Sequence, residues 1–393
     1  MTRKKLIIFA IFLSLVLAMS AALTLRFRTQ PAHPPLSPLL PPQQLVTQVT
    51  ESTRKTCPSG FILIPGDPQY RTSDFCLMKY DAKCASKADL STGIQPPHGD
   101  ACSGEKSGQY FGTYKNNGQG CACTGNKQVV STKSGFPLAY LPEFDTTSNN
   151  AKAYCRVNGW HLITNTEWMT VARNVEKIPE NWCDKDGSHC GFLPGTPAKI
   201  LANGHNDGNN ETSVSGSSNN ALIAGEDNQP CYGTTTDGSN NCSGKGSQKR
   251  TLTLSNHQII WDLAGNVWSW VDASVLRKDQ PQSRTLGKLD QGWIWSEFSP
   301  GGKDTVISDN GKGPSLGYDA FRPSHPEWNS TNGVGRIYHY SGETDTNSTP
   351  YTFIKGGTWQ HGYDSGAFSI HLSPTADKLN INDVSFRCVV DPQ

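Results

Sequence analysis

The segment YTFIKGGTWQHGYDSGAFSIHLSPTADKLNINDVSFRCVV, from Tyr351 to Val390, decides the fold. Three runs in it, YTFIKGGTW, AFSIHLS and VSFRCVV, are rich in β-branched and aromatic residues and are bounded by glycine or polar turns, so they read as strands. Gly356, Gly357, Gly362 and Gly366 permit tight backbone turns, and Trp359, Phe368, Leu372 and Phe386 supply core anchors. The residues between these anchors have no evident packing duty. Thr358, Gln360, His361, Tyr363, Asp364, Ser369, His371, Lys378, Asn380, Asn382 and Asp383 offer donors, acceptors, both charges and an aromatic ring, the mixture that recognition of a partner needs. The stretch 356–388 is therefore the candidate binding segment. No catalytic triad or carboxylate pair can be assigned in it.

Upstream, QIIWDLAGNVWSWVDA (258–273) returns to strand-like alternation, with Trp268 and Trp270 on one face. Between about Leu193 and Gly246 the chain is dominated by Gly, Asn, Ser, Thr and Asp and reads as a long surface excursion. Two helices precede it. One lies around Asn149–Val157. The other follows Thr164, where Thr164 and Glu167 have the spacing of a capping box and Trp168, Val171, Ala172 and Val175 mark one apolar face. FILIPG and FCLMKYDAK after Cys57 read as short strands, followed by a polar, glycine-rich insertion to about Ser134. This mixture predicts one α+β domain with long irregular loops over 57–393.

The front of the chain is different. Arg3, Lys4 and Lys5 precede an apolar run, Leu6–Leu25, which at roughly 1.5 Å per residue can cross a bilayer as one helix. Residues 1–28 are expected to be a signal anchor, or a signal peptide cleaved near Ser20, Ala21 and Ala22. The proline-rich stretch after it, within 29–56, is a semi-rigid spacer. Either version of the leader puts the rest outside the cytoplasm, membrane-anchored in the first case and secreted in the second.

Cysteine usage agrees, since all 12 cysteines lie at or beyond Cys57. Cys57 with Cys76, Cys183 with Cys190, and Cys231 with Cys242 bracket turn-rich loops and are candidate disulfides. Cys155 on the first helix and Cys388 on the last strand form a candidate long-range pair. Cys121 and Cys123 are too close for a zinc knuckle. A net charge of +1, with no basic cluster in the body of the chain, argues against a nucleic-acid partner.

YCRVNGWHLITNTEWMTVAR (154–173), IIWDLAGNVWSWV (259–271) and the ending FIKGGTW followed by VSFRCV resemble, in order and spacing, the sulfatase-modifying-factor domain, also called the formylglycine-generating-enzyme domain. That resemblance implies a C-type-lectin-like fold. In the enzymes of that family, two cysteines after the glycine motif bind copper, soft thiolates suiting Cu(I). Here the segment reads Gln360, His361, Gly362, Tyr363, Asp364, Ser365, Gly366, without a thiol, so no such enzyme activity is expected and no cofactor is required.

The pattern GGTW, SGAF and FRC (356–359, 365–368 and 386–388) is more similar to the variable region of target proteins of diversity-generating retroelements, with Ser385 where that group usually has glycine. This resemblance implies a cell-surface receptor or adhesin whose C-terminal face is diversified to bind protein or other macromolecular ligands. A constant lectin-like binding protein and, further off, a formylglycine-generating-type oxidase are the alternatives. In GNVWSW the family often binds calcium, which makes Asn266 a candidate ligand for a structural calcium. Ser269 stands where the usual acidic residue would be, with Asp272 a poorer substitute.

Overall fold

The computed structural model describes residues 55–93, 123, 125–135, 137–139, 141–144, 150–185, 189–206, 248–285, 288–298, 306–308, 320–342, 346–377 and 383–393. The described residues belong to one compact unit, Arg54–Gln393.

Its centre is a six-stranded sheet. From one edge to the other the strands are Gly292–Ser296, Ile337–Ser341, Gly366–His371, Pro350–Gly356, Trp268–Leu276 and Val384–Phe386. Two neighbouring pairs are parallel, Ile337–Ser341 with Gly366–His371 and Trp268–Leu276 with Val384–Phe386; the others are antiparallel. Because side chains alternate across a sheet, each strand feeds two cores. On one face Val271, Phe353, Phe368 and Ile370 pack with the second helix, Asn165–Glu176, through Trp168, Val171, Ala172 and Val175. On the other face Trp268, Trp270, Ile354 and Phe386 pack with Tyr154 and Cys155 of the first helix, Ala151–Val157, and with Leu138 and Leu141.

Both helices begin as their sequences direct. Asn150 caps the first, its side chain accepting from the Ala153 N–H at 2.8 Å. The second has the full capping box, Thr164 Oγ1 accepting from the Glu167 N–H while the Glu167 carboxylate accepts from the Thr164 N–H at 2.8 Å. Trp168 then reaches across the core and donates from its indole N–H to the Ala367 carbonyl at 2.8 Å, which ties the helix to the sheet.

After Phe386 the chain leaves the central sheet, and Cys388–Val390 enters a four-stranded sheet ordered Phe61–Ile64, Phe75–Met78, Cys388–Val390 and His161–Leu162. Arg387 sits at the crossing, fully buried. It donates to Asp81 at 2.7 Å and to the carbonyls of Met78, Trp261 and Asp262.

Among the described residues four disulfides are present: Cys57–Cys76, Cys84–Cys123, Cys155–Cys388 and Cys183–Cys190. No described cysteine is free. Three of these are pairs expected from the sequence, whereas Cys84–Cys123 was not foreseen; Cys231 and Cys242 lie outside the described residues. A set of four fits an extracellular location.

The expected fold class needs correction. Twenty strands stand against two α-helices among the described residues, so the domain is mostly β, not a balanced α+β unit. The physical reason is length: the two helices are single short covers on a sheet, and the irregular stretches between apolar runs are stitched by two- to five-residue strands. The expected N-terminal membrane helix, 1–28, and most of the 29–56 spacer lie outside the described residues. Among the described residues no helix is long and apolar enough to cross a membrane. Part of the surface excursion expected from Leu193 is not one, because the strand Lys199–Leu201 pairs with Trp182–Asp184 and 201–206 are all buried; 207–247 lie outside the described residues.

Candidate functional site

The register of the central sheet places one residue from each strand in a single row: Phe386, Trp270, Ile354, His371, Tyr338, Trp295. At the Phe386 end this row is buried under the first helix, where Phe386 stacks with Tyr154 at 6.3 Å. At the other end His371, Tyr338 and Trp295 are only half-buried. The candidate binding segment crosses the sheet where cover gives way to exposure.

Two glycines set that segment's path. Gly356 and Gly357 both have left-handed φ, +97° and +84°, and a Cβ on Gly357 would lie 2.5 Å from Ser365 Cα. The chain can therefore turn tightly into Thr358 and Trp359. Trp359 is buried against Val267, its backbone N–H donating to the Asn266 carbonyl at 3.1 Å.

The expected contact residues separate into two groups. Gln360 is exposed, and His361, Tyr363, His371 and Asp383 are half-buried. Thr358, Asp364 and Ser369 are buried, which corrects their assignment to a contact face. Their duties are internal. The Thr358 carbonyl accepts from Ser365 Oγ, and Ser369 Oγ donates to the Asp364 carbonyl at 2.6 Å. Asp364 accepts from Arg336 at 3.2 Å, and Arg336 also lies 3.4 Å from Glu297. Short polar side chains inside a turn satisfy the turn's own backbone, which sequence alone does not distinguish from a polar surface. Lys378, Asn380 and Asn382 lie outside the described residues.

The two histidines are packed by rings. His361 sits 5.2 Å from Trp268 and 5.8 Å from Trp295; His371 sits 4.4 Å from Tyr338, 5.8 Å from Trp268 and 5.9 Å from Trp295. Burial pushes His361 down to about 4, and burial together with the neighbouring His361 pushes His371 down to about 3. Both are uncharged at neutral pH. Burial also pushes the Asp383 carboxyl up to about 6.

Sequence reasoning missed the other half of this surface. Trp293 and Trp295 on one strand pair with Tyr340 and Tyr338 on the next, and all four rings are half-buried. The signal was present in GWIWS (292–296) and IYHYS (337–341), where aromatics alternate with period two. The intervening His339 faces the core and is fully buried. It holds Ser296 Oγ at 2.8 Å on one ring nitrogen and the Pro281 carbonyl at 2.8 Å on the other. Although a hydroxyl and an imidazole at this distance resemble a nucleophile and its base, both are sealed from solvent and serve packing.

Asn266, the expected calcium ligand, is fully buried with φ of +62°. Its N–H donates to the His205 carbonyl at 2.8 Å, and its own carbonyl holds Trp359. Asparagine tolerates this left-handed conformation, so the residue has a backbone duty that needs no metal. Asp272 is paired with Lys152 at 2.8 Å. Among the described residues no group of three or more His, Cys, Asp or Glu side chains is arranged to hold a metal ion.

No protein-family model matches this chain, and comparison with curated proteins finds no match.

Proposed function

We propose that this is an extracytoplasmic ligand-binding protein, a receptor or adhesin, that recognises its partner through the open end of the central sheet. The observation that carries this reading is the row ending in His371, Tyr338 and Trp295, where large rings stay partly exposed next to His361 and the exposed Gln360 that precedes it. Aromatic anchors held rigidly, with adaptable polar groups beside them, are the composition of a recognition surface. The four disulfides support the compartment. The similarity of GGTW, SGAF and FRC to variable retroelement targets supports a diversified partner choice.

A partner selected against the full-length protein by library display tests the proposal. A Gln360→Ala change should weaken that partner's binding at unchanged melting temperature. Unchanged affinity would place recognition elsewhere. Diversification has its own test in the neighbouring DNA, where a near-identical template repeat beside a reverse transcriptase should differ only at template adenines.

A further inference from the structure

We propose that Trp293, Trp295, Tyr338 and Tyr340 form an aromatic platform that binds a neutral saccharide by stacking. The proposal deepens the recognition reading above and rests on it.

The four rings share one sheet face. Trp293 is the register partner of Tyr340 and Trp295 of Tyr338, while the alternate residues Ile337, His339 and Ser341 are buried toward the core. On the same face Trp268 and Trp270 are buried under the first helix and Leu138 and Leu141, whereas the four rings of this strand pair are only half-buried. With neighbouring strands about 4.8 Å apart and alternate residues about 6.7 Å apart, four rings make a patch of the size of one or two hexose rings.

The rings are also held in place. Trp293 meets Tyr338 at 5.9 Å and Tyr340 at 5.6 Å, and Trp295 meets Tyr338 at 5.2 Å. His361 and His371 buttress Trp295 from the other side. Little rotamer freedom is left to lose when a ligand arrives.

Charge selects the ligand class. The imidazoles beside the platform are uncharged at neutral pH, and the Arg277 guanidinium lies 4.3 Å over the Tyr340 ring at its border. A polyanion would need a cluster of cations, and among the described residues Arg277 is the single cation seen against these four rings. The negative faces of Trp and Tyr rings attract the slightly positive C–H face of a pyranose. Tyrosine hydroxyls and the exposed Gln360 can meet its hydroxyl rim without a charge on either side.

Affinity electrophoresis of the full-length protein decides this, in gels containing amylose, xylan, a β-glucan or mannan, with polygalacturonate as the anionic control and EDTA present throughout. Retardation is expected in at least one neutral gel, not in polygalacturonate, and without need of a cation. Trp295→Ala should weaken it about tenfold or more, the loss expected for a central anchor. Since Trp295 also touches the buried cluster, Tyr340→Ala is the second variant, and circular dichroism melting controls for folding. No retardation in any neutral gel overturns the proposal, as does equal retardation of both variants and the wild type. If neutral gels fail while a display-selected protein partner still loses affinity in Trp295→Ala, the saccharide class is wrong and the recognition face stands. If no ligand depends on these rings, both fall.

Discussion

Arg387 and Asp81 meet at 2.7 Å with side chains 0% and 1% exposed, 306 residues apart in sequence. The pair lies where the chain passes from the central sheet into the smaller one, and Arg387 also satisfies three carbonyls from two other segments. Removing one partner of a buried ion pair leaves an uncompensated charge, so Arg387→Met should cost about 3 to 5 kcal/mol. Chemical denaturation monitored by tryptophan fluorescence measures it. Changing both residues together to apolar ones should cost less than Arg387→Met alone, because the carboxylate that Arg387 holds leaves with it.

A second tie runs through the next residue, since Cys388 is bonded to Cys155 across a separation of 233. The bridge fastens the first helix to the terminal strand. Cys155→Ala with Cys388→Ala should lower stability by about 2 to 5 kcal/mol. Peptide mapping of alkylated, unreduced protein should recover this link together with Cys57–Cys76, Cys84–Cys123 and Cys183–Cys190. Finding these eight cysteines as free thiols would remove the basis for placing the domain outside the cytoplasm.

Local signals carried the sequence analysis wherever one side chain served one short-range purpose. The capping box at Thr164 and Glu167, the helix face of Trp168, Val171, Ala172 and Val175, and the buried anchors Trp359, Phe368, Leu372 and Phe386 were all legible for that reason. What depended on distant partners was not. Nothing near Asp364 in the sequence announces Arg336, and nothing near Cys84 announces Cys123, because sheet order brings together segments that the chain keeps apart. The platform residues were readable as strand alternation, but their exposure depends on where the first helix stops covering the sheet, a tertiary fact. The class was misjudged because two clear helix signals outweighed many strands too short to show a period.

The histidines should titrate in opposite directions. His361 and His371 lie well below the ordinary 6.5, so between about 6.5 and 4 the unfolded chain binds protons that the folded one refuses, and their contribution is lost as pH falls. His161, bonded to Glu167 at 2.8 Å, is raised, chiefly by that hydrogen bond, so its contribution is present below 6.5 and lost as pH rises through the higher folded value. Buried carboxyls raised by burial, such as Asp81 and Glu176, oppose the first effect on acidification, so net stability is a poor readout. Residue-resolved NMR of the imidazole Cε1 protons is a direct one. Signals of His361 and His371 should stay at their neutral positions from pH 8 to about 5, while His161 should remain protonated above its ordinary midpoint. A midpoint near 6.5 for His371 would mean that its ring is not enclosed by Tyr338, Trp268 and Trp295.

The division of labour within the binding segment makes the last prediction. Gln360 is exposed, so replacing it with Ala should move stability little, by about 0.5 kcal/mol, while altering partner binding. Phe368, fully buried against the second-helix core, should cost about 3 to 5 kcal/mol on change to Ala. Asp364 decides between two views of the segment. As a freely variable contact it would tolerate Asn, but as the buried acceptor of Arg336 it should not, and Asp364→Asn should cost roughly 1 to 3 kcal/mol by leaving that guanidinium short of a charged partner. Parallel thermal melts and binding measurements on the three variants separate these outcomes. An Asp364→Asn protein as stable as the Gln360→Ala variant would return Asp364 to the contact surface.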